Sequence, residues 1–299
     1  MLQPISAERV PDFLTIGHAT RDIHSDGSYS IGGTVTFAAL TAYRLGLVSA
    51  LVTRGDAQLL AELATQLPGI EIAGRSSEVT TTFANVYEGG FRIQHIHSRA
   101  DQLDAEDVPL AWRGAPIVLL APLAQEITLD LLALFRYRPG AIVAATAQGW
   151  LRCWDEEGRV WPTPWTGAEE MLAGLDVLIL SHDDLLPLAG DNRAGADAIL
   201  SRWSLLVPLL VATGGRQGAT LFRQGKKRHF PAYPAREVDP TGAGDVFAAA
   251  FLTHFYRHGD PETAVDFANC VASLSIEHVG ITGIPTAAAV VEKMKPGLE

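Results

Sequence analysis

The sequence predicts an α/β fold, a doubly wound, mainly parallel sheet flanked by helices on both faces, with a small β-hairpin element beside it. Three observations predict it. Short apolar runs recur along the 299 residues, each bounded by Gly, Pro or polar residues. Longer helix-like stretches separate them. A single segment breaks that rhythm by alternating apolar and polar residues with period two. Alternation of strand and helix argues for a parallel sheet covered on both sides.

The elements follow in order. FLTIG (13–17), VSALVT (48–53), IVLLA (117–121), AIVAAT (141–146), DVLIL (176–180) and LLVPLLVAT (205–213) read as buried strands. Each is apolar at successive positions, as a strand covered on both faces must be. Helices are expected at 34–45, 57–66, 127–136, 193–202, 243–258, 261–278 and 286–295. EVTTTFANVYEGGFRIQHIHS (78–98) carries the period-two pattern and turns at Glu88-Gly89-Gly90. Its pattern suits a flap beside the sheet and an antiparallel edge pair equally. GRVWPTPWTG (158–167) reads as a surface loop and GKKRH (225–229) as a solvated hairpin turn. His95 and His97 share one strand face with no third metal ligand suggested nearby, and His182 reads as a surface loop residue. No repeat, low-complexity segment or linker divides the chain, so residues 1–299 are expected to form one domain.

Composition narrows the function. The formal net charge is −11, which disfavours a general nucleic-acid binder, since that needs a basic face. Two cysteines, Cys153 and Cys270, make neither a disulfide framework nor a Cys-rich metal site. The longest apolar runs, such as PIVLLAPLA (116–124), are too short to span a bilayer, and the first residues lack a basic region followed by an apolar one. A soluble, cytoplasmic protein is therefore expected.

The chemistry concentrates in EVDPTGAGDVFAAAF (237–251). Small residues let backbone approach a ligand closely. A helix starting just after them aims free N–H groups and its positive dipole end outward, at an anion. Gly242, Ala243 and Gly244 therefore read as an anion cradle, and Phe247, Phe251 and Phe255 anchor the helix behind it. Asp245 would repel a merely bound anion. It makes sense as the group that accepts the proton of a hydroxyl attacking a phosphoryl group. Asp245 as a simple helix N-cap is the alternative.

DPTGAGDVFAAAF resembles the D-x-x-G-A-G-D signature of the ribokinase-like (PfkB) carbohydrate kinases. GGTVTFAALTAYRLG (32–46) is similar to that family's N-terminal Gly-Gly motif. VATGGRQGATLF (211–222) is similar to the strand–loop–strand under the nucleotide phosphates, and FANCVASLSIEHVGITGIPT (267–286) to its final helix. The resemblance covers most of the chain, and all four motifs fall in the family's order. It implies a ribokinase-like fold with a small β lid, near 18–31 and 78–98. It also implies transfer of the γ-phosphate of ATP, with Mg2+ and in some members a monovalent cation, to a hydroxyl of a sugar or polyol. On that reading Asp245 is the base and Gly242, Ala243 and Gly244 form the anion hole. Asp22, Gly32, Gly33, Gln148 and Arg152 face the substrate. Ser181, Thr213, Gly215, Gly218 and Asn269 meet the nucleotide, and Asp184 meets magnesium through water.

The chain departs from the pattern in places. SHDD (181–184) stands where the family has N-x-x-E, with Asp184 one methylene shorter than Glu. Phe37 stands where many members carry an Asn that holds substrate hydroxyls. TAQGWLR (146–152) is similar to a D-x-Q-G-φ-x-R segment of some members, including the inositol-kinase-like ones, with Thr146 replacing the acid. A non-catalytic nucleotide- or metabolite-binding regulatory protein and a nucleoside kinase are the competing readings. Apolar residues Phe83, Val86, Phe91, Ile93 and Ile96 in the hairpin suggest a homodimer through the lid.

Overall fold

The computed structural model describes residues 9–88, 91–136 and 138–295. The chain runs β1 (Phe13–Ile16), β2 (Thr20–Ile23), β3 (Tyr29–Gly32), α1 (Thr34–Arg44), β4 (Ser49–Gly55), α2 (Ala57–Gln66) and β5 (Glu71–Ser76). Then come β6 (Thr82–Glu88), β7 (Phe91–Ser98), β8 (Ile117–Leu120), α3 (Leu129–Ala133), β9 (Ile142–Thr146), β10 (Arg152–Trp154) and β11 (Val160–Pro162). It continues through α4 (Ala168–Leu172), β12 (Val177–Ser181), α5 (Arg193–Trp203), β13 (Leu209–Thr213), β14 (Ala219–Arg223) and β15 (Lys226–Phe230). It closes with α6 (Ala243–His258), α7 (Pro261–Ser275) and α8 (Ala287–Met294).

A nine-stranded sheet in the order β15-β14-β13-β12-β9-β8-β1-β4-β5 forms the centre. From β13 to β5 all neighbours are parallel, and β14 and β15 join antiparallel at one edge. Successive residues of each inner strand feed opposite faces. Ile117 and Leu119 enter the core with α1, α6 and α7, whereas Val118 and Leu120 enter the core with α3, α4 and α5. Burial on both faces is why these strands are apolar at consecutive positions. The predicted helices are present with ends within three residues of expectation.

A separate four-stranded sheet, β3-β2-β6-β7, joins the two segments expected to form the lid. Its centre is the parallel pair β2–β6, flanked by antiparallel partners. The turn residues Gly89 and Gly90 lie outside the described residues. Arg21 on β2 grips Asp56, the N-cap of α2, through two hydrogen bonds of 2.6 and 2.8 Å. Tyr29 reaches Glu62 at 2.5 Å. Phe83 and Ile96 are buried on Leu123 and Ala124 of the same chain, so these two are not the free apolar surface that the dimer expectation assumed. The side chains of Val86 and Phe91 lie outside the described residues.

Several expectations need correction. The strand at 205–213 starts only at Leu209, because the preceding residues turn out of α5 and leave Leu205 73% exposed. The 158–167 segment is more than a surface loop. Val160–Pro162 pairs with β10, and Trp165 stacks on Trp150 at 4.5 Å and meets Trp203 edge-on. GKKRH is mostly strand β15. The turn before it is Gln224-Gly225, both at positive φ, the geometry a two-residue hairpin loop demands. His182 is buried and bonded through Nε2 to Asp197 at 3.1 Å, not placed on a surface loop. Among the described residues, no helix is long and apolar enough to cross a membrane.

Candidate active site

The candidate residues gather where open α/β sheets place ligands, at the carboxyl ends of the parallel strands. Gly17 and His18 follow β1, Gln148 to Leu151 lead from β9 to Arg152 at the start of β10, Ser181 ends β12 with His182 to Asp184 after it, and the start of α6 lies near them.

The α6 entry is held from three sides. Gly242, the N-cap, sits in the left-handed region at φ 76°, and a Cβ there would lie 2.3 Å from the ring of Phe37. Phe37 is thus the floor of the loop, a packing role that displaces the polar contact an Asn would make. Asp239 accepts from the N–H of Thr241 at 3.0 Å and of Gly280 at 2.9 Å, tying the loop to the segment after α7. The N–H of Ala243 is already spent on the carbonyl of Pro240 at 3.2 Å. The first-turn N–H groups of Gly244 and Asp245 have no carbonyl a full turn earlier in the helix. Above Gly244 there is open space.

Asp245 lies half-buried in the first turn of α6. Burial pushes its carboxyl up to about 6, with Asp22 and Asp184 adding to the rise, while the Thr34 hydrogen bond and the Arg152 charge oppose it. Those four residues therefore surround the same carboxylate, brought together from β2, the start of α1, the β9–β10 connection and the turn after β12. Asp184 is likewise raised by burial, with Arg152 working the other way.

In the small sheet, Asp22 packs on Gly32 so closely that a Cβ at Gly32 would lie 2.1 Å from its carboxylate. Thr20 donates to Asp22 at 3.1 Å. Gly33, at φ 92°, lets α1 start against the carbonyl of His18. Gly149 comes equally close to Pro122 and donates to its carbonyl at 2.9 Å, which seats the segment bearing Gln148 and Arg152.

On the other side of Gly244 opens a cleft of about 380 Å³. Thr213, Gly215, Gly218, Ala243, Gly244 and Asn269 all line it. Apolar walls come from Phe247, Ala272 and Ile276, with Tyr233 beside them. The Asn269 side chain donates to the carbonyls of Phe230 and Pro231, at 3.2 and 3.1 Å, and so also pins the end of β15. Ser181 pairs with Thr213 in register but is not among the residues lining the cleft. Ser181 instead accepts from the N–H of Asp183, capping its own turn.

Sequence reasoning missed several contributors. Thr34, the neighbour of Gly33, reaches Asp245. Arg216 and Glu237, 3.1 Å apart, sit together at the edge of the cleft. Fully buried Glu126 accepts from the N–H groups of His18, Leu123 and Ala124 and joins the loops after β1 and β8. Only Thr34 had a signal, its place directly after the glycine pair. Glu126 looks like any loop acid until the fold encloses it.

A helix start with free N–H groups beside a raised carboxylate stands at the carboxyl edge of a doubly wound sheet. Residues 158–287 match the family model of pfkB family carbohydrate kinases. Probable fructokinase-5 of Arabidopsis thaliana is 30% identical over 146 residues, 44% of this chain and 45% of that one. The chain spans about half the length of the curated relatives it matches in this way. A pyrophosphate-dependent kinase in the ribokinase family, solved with a pyrophosphate analog and myo-inositol, has a TM-score of 0.79 at 25% identity. That match covers 94% of this chain and all of the other. The ribokinase of Arabidopsis thaliana, solved with ribose and ATP, superposes with a TM-score of 0.75 at 22% identity, over 97% of this chain and all of that one, and shares the fold. The chain therefore has the ribokinase fold, and its residues 158–287 are similar to pfkB family carbohydrate kinases.

Proposed function

We propose that the protein transfers the γ-phosphate of ATP to a hydroxyl of a sugar or polyol, with Asp245 as the general base. The observation that carries this reading is the position of Asp245. It follows Gly244, which lines an open, partly apolar cleft, and its carboxylate is acted on by the charges of Asp22 and Arg152. The cleft has the walls a flat nucleobase would use, and the start of α6 has the donors a phosphate would use. Asp22 would accept from substrate hydroxyls, and Arg152 would hold Asp245 ionised. An Asp raised to about 6 is a stronger base than an ordinary carboxylate and is still mainly deprotonated near neutrality.

Magnesium suits the residues present in one specific way. Among the described residues no cluster of three or more His, Cys, Asp or Glu forms a cage. A single carboxylate with retained waters and donor phosphates is how magnesium is commonly held, and Asp184 would be that carboxylate. The ion would neutralise phosphate charge. A monovalent cation, a lid role for the small sheet and a homodimer remain parts of this reading.

The choice of donor has a second reading. Arg216 reaches into solvent at the edge of the donor cleft with 84% of its side chain exposed, a cation suited to a short, highly charged donor. The structural neighbour's use of pyrophosphate agrees with it.

The test is donor consumption with magnesium across inositols, pentoses, hexoses, keto-acid sugars and nucleosides, with ATP and pyrophosphate in parallel. An acceptor-dependent signal lost in Asp245→Asn is expected. A nucleoside as the sole acceptor would make it a nucleoside kinase. ATP that binds with no turnover on any acceptor would favour the regulatory binding protein instead.

A further inference from the structure

A second cleft, of about 440 Å³, lies back to back with the donor cleft. It opens between α5 and the antiparallel edge of the sheet, and its lining includes His182, Arg193, Asp197, Lys227 and His229. Two observations set it apart. First, it reverses the charge of the molecule. The chain carries −11 overall, yet Arg193 and Lys227 face a lone carboxylate here, with two histidines beside them. The basic run of β15 is sorted by its pleat: Lys227 and His229 point into the cleft, whereas Arg228 points away and pairs with Glu262. Second, one buried group has no partner, while His229 meets the hydroxyl of Thr220 at 3.2 Å. Asp197 is shared between His182 at 3.1 Å and Lys227 at 3.4 Å, and the buried Nδ1 of His182 has no hydrogen-bond partner.

We propose that this cleft binds a small phosphate monoester, and that its occupation changes donor affinity. An arginine fork with a lysine and imidazoles is suited to a phosphate dianion, and the volume leaves room for a sugar-sized group behind it. The link to the donor side is one loop. Gly214, Gln217 and Gly218 line this cleft, and Thr213, Gly215, Arg216 and Gly218 line the other. Arg193 holds that loop through Gln217 at 2.6 Å. Turning Arg193 onto a phosphate takes this restraint from the loop that the donor must meet. The binding step stands without any assumption about the acceptor; the coupling rests on the proposed donor site.

The experiment titrates inorganic phosphate by calorimetry into the wild type and two variants. Arg193→Glu combined with Lys227→Glu reverses the cleft's charge at two exposed positions. Gly244→Val covers the start of α6, where the structure leaves open space. One phosphate per chain is expected in Gly244→Val, any second phosphate in the wild type belonging to the start of α6. The site that Gly244→Val keeps should show a Kd raised at least tenfold in the double variant at unchanged Tm. Binding lost in Gly244→Val and kept in the double variant, or no saturable binding, would overturn the site. Where ATP binds, phosphate should shift its Kd at least threefold in the wild type and not in the double variant. An equal shift in both would overturn the coupling while leaving the site intact. ATP that fails to bind at all would count against the donor reading alone.

Discussion

At Asp245 burial and the carboxylates of Asp22 and Asp184 oppose ionisation, whereas Thr34 and Arg152 favour it. Two consequences follow from the net rise to about 6. As the base, Asp245 should lose function when protonated, so kcat/KM should fall as pH drops through about 6. A profile flat down to about pH 5 would remove it from that role. The folded chain also holds this proton more tightly than an unfolded Asp, whose ordinary value is 3.8. Ionised Asp245 therefore lowers stability above about pH 6, and the loss disappears as pH approaches that of a free Asp. Asp245→Asn should raise Tm by a few degrees near neutrality, lose that gain in acid, and reduce turnover ~10²–10⁴-fold. Thermal scans across pH read the first effect and steady-state kinetics the second. The two glycines of the loop should behave differently. Gly242→Ala meets the Phe37 ring and a positive φ, costing on the order of 1–3 kcal/mol. Gly244→Ala meets no neighbour and should fold normally, which denaturant titration of both variants would check.

The connections at the carboxyl edge of the sheet depend on buried polar pins. Glu126 satisfies backbone donors of His18, Leu123 and Ala124 in a fully buried setting. Glu126→Ala would strand those donors, a loss of about 1–3 kcal/mol for each one left dry, visible as a lower unfolding midpoint. Trp165 acts similarly for the neighbouring loop. It is stacked on Trp150 and braced by Trp203, so it supports the segment that carries Gln148 and Arg152. Trp165→Ala should raise the acceptor KM more than the donor KM, since only the acceptor side rests on that segment. Legibility in the sequence followed burial at this scale. Strands covered on both faces, such as IVLLA, announced themselves. EIAGRS, the edge strand β5, did not, because only Ala73 of it is buried and its second half is exposed. The loop at 242–245 was readable because its glycines and acid are adjacent in the chain. Arg216 and Glu126 join the site only through the fold and no local pattern marks them, whereas Thr34 had its place directly after the glycine pair as a signal.

Across the whole molecule, two apolar layers sandwich one sheet, and every candidate site residue lies along one edge of it or in the adjoining small sheet. The dimer expectation belongs at this scale. Phe83 and Ile96 are consumed inside the chain, and the outer edge of β7 is met by the 158–159 segment, through the N–H of Ile96 to the carbonyl of Gly158 at 2.8 Å. The edge of β3 is then the place for a partner copy to pair. Light scattering should report a dimer that a proline at Tyr29, whose N–H is not used by the β2 ladder, abolishes, and a monomer at all accessible concentrations would end the dimer proposal.

The small sheet has a consequence for how the chain comes to be folded. Its central pair joins β2 to β6 in parallel, and everything from β3 to β5 lies between them in the sequence. β2 therefore waits without its parallel neighbour while α1, β4, α2 and β5 are laid down. On the ribosome the small sheet can close its ladder only after that whole unit has emerged. A late-formed sheet of this kind is a natural candidate for the first part to open again. Amides of β2 and β6 should exchange with solvent well before those of β1 and β8, although all four strands are hydrogen-bonded in the native state.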